Sequence, residues 1–182
     1  MTNLQMPERI DLEESSRTKT FGRFIASPLE EGYGTTLGNS MRRILLSSIP
    51  GSAFTSLRIE GVQHEFSTVK GVTEDVAEII LNLKGVRIRA EQNTVTRLLI
   101  DIKGPKEFKA GDIQQFTNEI DILNPQHHLF TLSKDARLQM ELVVGHGRGY
   151  ILSDENKAAD APLGTIAART WNTFRCIVIP YL

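Results

Sequence analysis

The chain holds a single cysteine, Cys176, among 182 residues. One thiol excludes an internal disulfide and suits a reducing compartment, so a cytoplasmic protein is expected. Long apolar runs are missing as well. No stretch approaches the ~20 residues of a membrane-crossing helix, and the N-terminus lacks an apolar signal region, so no membrane partner is expected. Charge of one sign is not in excess either. The 21 basic residues stand against 22 acidic ones, for a net charge of −1, and such a balance provides no overall basic field to attract nucleic acid. Histidine is sparse, and His64, His127, His128 and His146 follow no metal-binding spacing of the HExxH kind. His127 and His128 are adjacent, and neighbours in a strand point to opposite faces, so they cannot chelate together. We expect surface or core histidines, with no metal and no cofactor. Phosphoryl-transfer chemistry would need clustered aspartates for Mg²⁺, and no Asp-x-Asp-x-Asp run exists. No Ser/His/Asp or Cys/His constellation is evident. The paired acids Glu30-Glu31 and Glu74-Asp75 fall at a turn and at a helix start, where solvation and the helix dipole account for them. The chain carries no catalytic residues of its own that the sequence reveals.

What is present is an ordinary globular composition, 40% apolar and 24% charged, long enough for one domain or two small lobes. Its most informative segment runs from Phe24 to Gly51. Pro28, Gly32 and Gly34 disfavour regular structure before Thr35, and Pro50-Gly51 stops whatever began there. Between them Leu37, Met41, Ile44 and Leu45 recur at i, i+4, i+7 and i+8, an apolar helical stripe. At ~100° per residue Leu46 falls on the opposite side, among Asn39, Arg42 and Arg43. A leucine among arginines gains little from burial unless a second surface covers it. The pattern predicts a two-sided helix, with one side for its own fold and one for a partner.

Elsewhere, residues 1–16 are polar and read as a loose arm, and Thr18–Ala26 reads as a strand. Ala53, Thr55, Leu57 and Ile59 fall on one strand face, with Arg58 and Glu60 on the other. Thr73 is the expected N-cap of a second helix, whose stripe is Val76, Ile79, Ile80 and Leu83, with Gly85 as terminator. Strands are expected at Val86–Ala90, Thr94–Lys103, Glu119–Leu123 and Leu138–Val144, with Arg87, Arg89 and Arg97 on outer faces. Asp154–Ala161 reads as a polar loop, and no internal repeat is visible. Gly145-His146-Gly147-Arg148-Gly149 could cradle a phosphate through backbone N–H groups, although it is neither GxGxxG nor a P-loop. A turn or bulge is the plainer reading. Two helices among about eight strands, without regular alternation, give the class α+β.

Several of these segments carry a family likeness. Glu31-Gly32-Tyr33-Gly34-Thr35-Thr36-Leu37-Gly38-Asn39 followed by Arg42-Arg43-Ile44-Leu45-Leu46-Ser47-Ser48 resembles the first helix of the bacterial RNA polymerase alpha subunit, N-terminal domain. Gly61–Thr68, Val72–Asp75, Asn82–Gly85, Asn124–His127, Gly147–Tyr150 and Ala161–Gly164 continue the likeness in family order. It covers residues 17 to 167. The resemblance implies a two-lobed fold, in which a dimerisation lobe (residues 1–51 plus 161–182) is interrupted by an inserted β-rich lobe (52–160). It implies a non-catalytic assembly subunit of DNA-directed RNA polymerase, a nucleotidyltransferase, that dimerises and forms a platform for the beta and beta-prime subunits and meets DNA only through the assembled enzyme. By the same likeness Tyr33, Leu37, Met41 and Ile44 would meet the second alpha copy. Arg42, Arg43, Leu46, His64 and Glu65 would bind beta, and Asn82 and Lys84 would lie near beta-prime. Lys84 is read equally well as a cation stabilised at a helix C-terminus.

After Ala167 the likeness ends. Ala168–Leu182 holds the chain's only tryptophan and only cysteine and does not resemble the family's continuation. The expectation is an incomplete dimerisation lobe and no C-terminal DNA-binding domain. Two other readings stay open at this point: a small enzyme that binds a phosphorylated ligand through Gly145–Gly149, and a non-functional alpha fragment.

Overall fold

A computed structural model describes residues 7–18, 21–90, 96–156, 162–168 and 170–171. They fall into two compact units that divide between Ile44 and Leu45.

The first unit opens with β1 (Arg9–Leu12) and β2 (Phe24–Ser27), an antiparallel pair in the register Arg9↔Ser27 to Leu12↔Phe24. A 3₁₀ turn at Glu14–Ser16 lies between them. The Ser16 hydroxyl donates to the Glu13 carbonyl at 2.8 Å and accepts from the Arg23 amide at 3.2 Å. The loose arm and the strand expected at 18–26 are therefore corrected to a short hairpin. Four alternating residues, Arg9-Ile10-Asp11-Leu12, are too few for periodicity to register. Next comes α1 (Tyr33–Ser47), which starts two residues before the expected Thr35 and whose last three residues fall in the second unit. Gly32, at φ 80°, turns the chain into it. Gly34 is tolerated in the first turn, where the N–H groups have no intrahelical acceptor in any case.

The second unit contains, in chain order, β3 (Pro50–Ile59), α2 (Val76–Lys84), β4 (Ile88–Ala90), β5 (Thr96–Lys103), β6 (Lys106–Lys109), β7 (Ile120–Ile122), β8 (His128–Leu132), β9 (Arg137–Arg148), β10 (Tyr150–Ile151), α3 (Ser153–Asn156), β11 (Thr165–Ala167) and β12 (Thr170–Trp171). A six-stranded antiparallel sheet runs β5-β9-β3-β4-β7, with β11 also against β3. β6 and β8 form a separate ribbon, as do β10 and β12. The class is α+β, as expected. Leu98, Ile100 and Ile102 on β5 and Leu138, Met140, Leu142 and Val144 on β9 alternate inward with period two, as a half-buried sheet requires. α2 buries Val76, Ile79 and Leu83 in the same core, packing on β8 and β3. Phe108 and Phe130, which stack at 4.9 Å between ring centroids, fill the region under the β6–β8 ribbon. Every buried apolar residue among those described lies between Phe54 and Ile166.

Several sequence expectations change here. β3 does not keep one face from Ala53 to Ile59, because its register with β9 shifts between Phe54 and Ser56. That bulge buries Phe54 before the bulge and Leu57 and Ile59 after it. The N-cap of α2 is Asp75, whose carboxylate accepts from the Glu78 amide at 2.7 Å, and not Thr73. Gly85 does end α2, but at φ −79° and so without a left-handed turn. Glycine leaves room for a neighbour there: a Cβ would sit 2.6 Å from Nε2 of His127, which would have to shift. β6 and β8 are absent from the sequence reading. The polar loop expected from Asp154 begins as the single helical turn α3, while 157–161 lie outside the described residues. Most of the divergent tail, 172–182, lies outside them too.

Candidate protein interaction surface

Helix α1 carries most of the expected contact residues, and no residue of it is buried. Tyr33 and Leu37 are half-buried, Met41 is 52% exposed and Ile44 55% exposed, and Arg42 and Arg43 are exposed. Leu45 and Leu46 are both half-buried. The expectation that one side of α1 packs into its own fold is therefore corrected. The stripe Leu37–Met41–Ile44–Leu45 exists, but none of its residues is buried, and Leu46 is no more open than Leu45. The hairpin beside it in sequence adds exposed Ile10, Phe24 and Ile25. Among its described residues the first unit has no buried side chain at all. Scattered surface apolars need no explanation, but a whole unit without a core does.

His64 and Glu65 share one loop of the second unit, between β3 and α2. Gly61, at φ 79°, starts it. The Ser67 hydroxyl lies 3.1 Å from Nδ1 of His64, and the Ser67 amide donates to the His64 carbonyl at 3.3 Å. The stretch from His64 to Phe66 is thus held as a tight exposed turn. Phe66 at its tip is 83% exposed. It lies within the Gly61–Thr68 segment that carries the family likeness, beside the expected contact residues His64 and Glu65. Below the tip the loop is well fastened. The Val76 amide donates to the Ser67 carbonyl at 3.2 Å, and the Thr73 amide to the Thr131 carbonyl at 3.1 Å. Gly71, at φ 81°, packs where a Cβ would meet Ala136 at 2.6 Å.

Asn82 and Lys84 sit together at the C-terminal end of α2. The Asn82 amide donates to the Leu129 carbonyl at 2.9 Å, tying helix to strand. Lys84 is exposed in the last turn, where a cation complements the helix dipole. Leu81, beside them in sequence, is an exposed leucine the sequence reading did not select.

The remaining candidates resolve into structural roles. His127 Nε2 donates to the Asn82 carbonyl at 2.9 Å, capping α2. His146 Nδ1 lies 3.2 Å from the Ser52 hydroxyl across the β3–β9 ladder. Among the described residues no three His, Cys, Asp or Glu side chains converge as a metal site would require. The glycine-rich phosphate cradle is contradicted. Residues 145–148 belong to β9, pairing with Ala53, Ser52, Gly51 and Pro50, so their amides alternate across a ladder instead of converging. The turn or bulge offered as its plainer reading is likewise a strand up to Arg148. Only Gly149, at φ 63°, leaves it. On the outer face of the sheet Arg58 pairs with Glu141 at 2.7 Å and Arg137 Nε donates to Asp101 at 2.9 Å. The bonds from Arg137, and then from Gln139, hold the Asp101 carboxyl well below the usual range. These charges satisfy one another across the β5–β9–β3 face, where Arg58, Asp101, Gln139 and Glu141 line one open cleft.

The family model described as "RNA polymerase Rpb3/RpoA insert domain" matches residues 57–169. That span contains the sheet except for the first seven residues of β3, together with α2 and the 60–75 loop. A DNA-directed RNA polymerase subunit alpha of Chloroherpeton thalassium is 49% identical over 166 residues, covering 90% of this chain. The chain belongs to the RNA polymerase alpha-subunit family. Alpha subunits of Salinibacter ruber and Geobacter metallireducens are each 52% identical over 164 residues, again 90% of this chain. The chain spans about half the length of these alpha subunits, from 48% to 50%. No helix among the described residues is long and apolar enough to cross a membrane.

Proposed function

We propose that the chain is a non-catalytic assembly subunit of a cytoplasmic DNA-directed RNA polymerase, which dimerises through its first unit and seats the beta and beta-prime subunits. The observation that carries this reading is α1, a fifteen-residue helix with an apolar stripe and no buried residue. An amphipathic helix gains most of its stability from covering its apolar face. Tyr33, Leu37, Met41 and Ile44 are the contact residues for a second copy, in an isologous arrangement where each copy covers the other's stripe. Arg42, Arg43 and Leu46 of α1 take the beta subunit, together with His64 and Glu65 on the exposed turn. Asn82 and Lys84 mark the beta-prime side. In this reading residues 1–51 with 161–182 serve dimerisation, and 52–160 form the inserted lobe.

Co-expression with the beta subunit, followed by affinity capture, tests the proposal. Capture should survive nuclease treatment and should fall by about 2 kcal/mol or more in Arg43→Ala, as a central interface arginine allows. A chain that captures neither the beta subunit nor its own second copy at micromolar concentration overturns the reading.

A further inference from the structure

His128, the first residue of β8, lies between two carboxylates from two other elements. Its Nε2 is 2.8 Å from Glu74 Oε1, in the segment that leads into α2, and its Nδ1 is 3.3 Å from Glu107 Oε1 on β6. Ionised carboxylates only accept, and a neutral imidazole has one N–H. Both contacts are hydrogen bonds only when the ring is an imidazolium. Glu74 is in turn held by the Thr131 amide at 2.7 Å and the Thr131 hydroxyl at 3.3 Å. Its side chain is only 10% exposed, so it depends on these partners. Glu74 is also where the 60–75 segment ends: Val72 bridges to Leu132, and the Thr73 amide bonds to Thr131.

We propose that His128 is a proton-dependent clasp that fastens the 60–75 segment, through Glu74, to the β6–β8 ribbon. The charged groups facing it are Glu74 from that segment, Glu107 from β6, and Lys109, whose Nζ lies 3.7 Å from Glu107. Asp75 faces away, engaged as the cap of α2. The hydrogen bond to Glu74 raises the His128 pKa above 6.5, burial opposes it, and Glu107 adds to the rise. A raised imidazole contributes its full stabilisation below the unfolded pKa and loses it as pH rises through the folded value. The clasp is closed in mildly acid solution while Glu74 is ionised, and it loosens on the alkaline side. The exposed turn at His64–Phe66 lies on the clasped segment, so its mobility follows the same proton.

Hydrogen exchange of the whole chain, expressed as protection factors from about pH 5 to about pH 9, tests the clasp. Protection of peptides from 61–75 should fall as pH rises, by about tenfold for each pKa unit by which closing raises His128. His128→Gln keeps a donor for Glu74 but has no proton to lose, and should flatten that dependence. Glu107→Gln should move the transition to lower pH. An equal pH dependence in wild type and His128→Gln, or none in wild type, overturns the proposal. Should His128→Gln also lose protection in β9, the wild-type ring titration by NMR decides. A shared midpoint above 6.5 for the His128 ring and the Thr131 amide supports the clasp, and a ring midpoint at or below 6.5 overturns it.

Discussion

Thr55 and Gly145 show how one methyl group shapes a sheet. The bulge in β3 turns Thr55 so that its hydroxyl donates to the Val143 carbonyl at 3.2 Å, and its methyl covers Gly145. A Cβ at 145 would lie 2.5 Å from that methyl. Threonine is stiff at χ1 and cannot easily withdraw. Gly145→Ala should therefore cost about 1–3 kcal/mol in denaturant unfolding, and adding Thr55→Ser, which removes the methyl, should restore part of the loss. A double variant no better than the single one would show that the methyl is not the obstacle. Glu74 makes a second residue-scale case. Burial works to raise its carboxyl, but the Thr131 amide and His128 outweigh burial and hold it below its ordinary 4.5. A depressed carboxyl contributes stability above its unfolded pKa and loses it as pH falls through the folded value. Glu74→Gln should lower the melting temperature at neutral pH and make its decline below about pH 4.5 shallower than in wild type. An unchanged acid limb would remove Glu74 from the account.

At the scale of elements, α1 and α2 contrast. Both have helical stripes in the sequence, yet only α2 buries one, with Val76 and Ile79 fully enclosed. Ile79→Ala should cost about 2–5 kcal/mol, the range for emptying a core site. Leu45→Ala, at a half-buried site on α1, should cost less than about 1.5 kcal/mol. Equal losses in thermal unfolding would mean that α1 is covered in solution. The contrast also marks what a sequence can reveal. β5 and β9 were legible because Leu98–Ile102 and Leu138–Val144 alternate without interruption. β6 and β8 were not, since Lys106-Glu107-Phe108-Lys109 shows one apolar residue and His128-Leu129-Phe130 shows two in a row. The face switch in β3 hides because a bulge changes which residues share a side without changing composition. Asp75 outcompeted Thr73 as cap because Glu74, between them, is drawn to Thr131 and His128, 57 and 54 residues away in the chain. As for the contact surface, periodicity showed that α1 has an apolar stripe but could not show that the fold leaves it open. That fact depends on which elements stop short of it.

For the molecule as a whole, the two units differ in kind: one has a complete core and the other none among its described residues. If the first unit is completed by a second copy, Met41→Glu with Ile44→Glu should shift sedimentation at micromolar concentration from dimer to monomer and leave unfolding of the sheet nearly unchanged. A mutant that stays dimeric would place the contact elsewhere. One consequence concerns synthesis. A ribosome delivers α1 well before Ile166, the last buried residue among those described, and at about 5–20 residues per second that interval is on the order of ten seconds. Throughout it the apolar stripe of α1 is off the ribosome and uncovered, and in the proposed dimer its partner face is being made on the next ribosome along the same message. Two nascent chains can meet there before either sheet has closed, so the quaternary contact would come first and the tertiary core second. Nuclease-resistant ribosome pairs on this message, lost when Met41 and Ile44 are made acidic, would be the trace of that order.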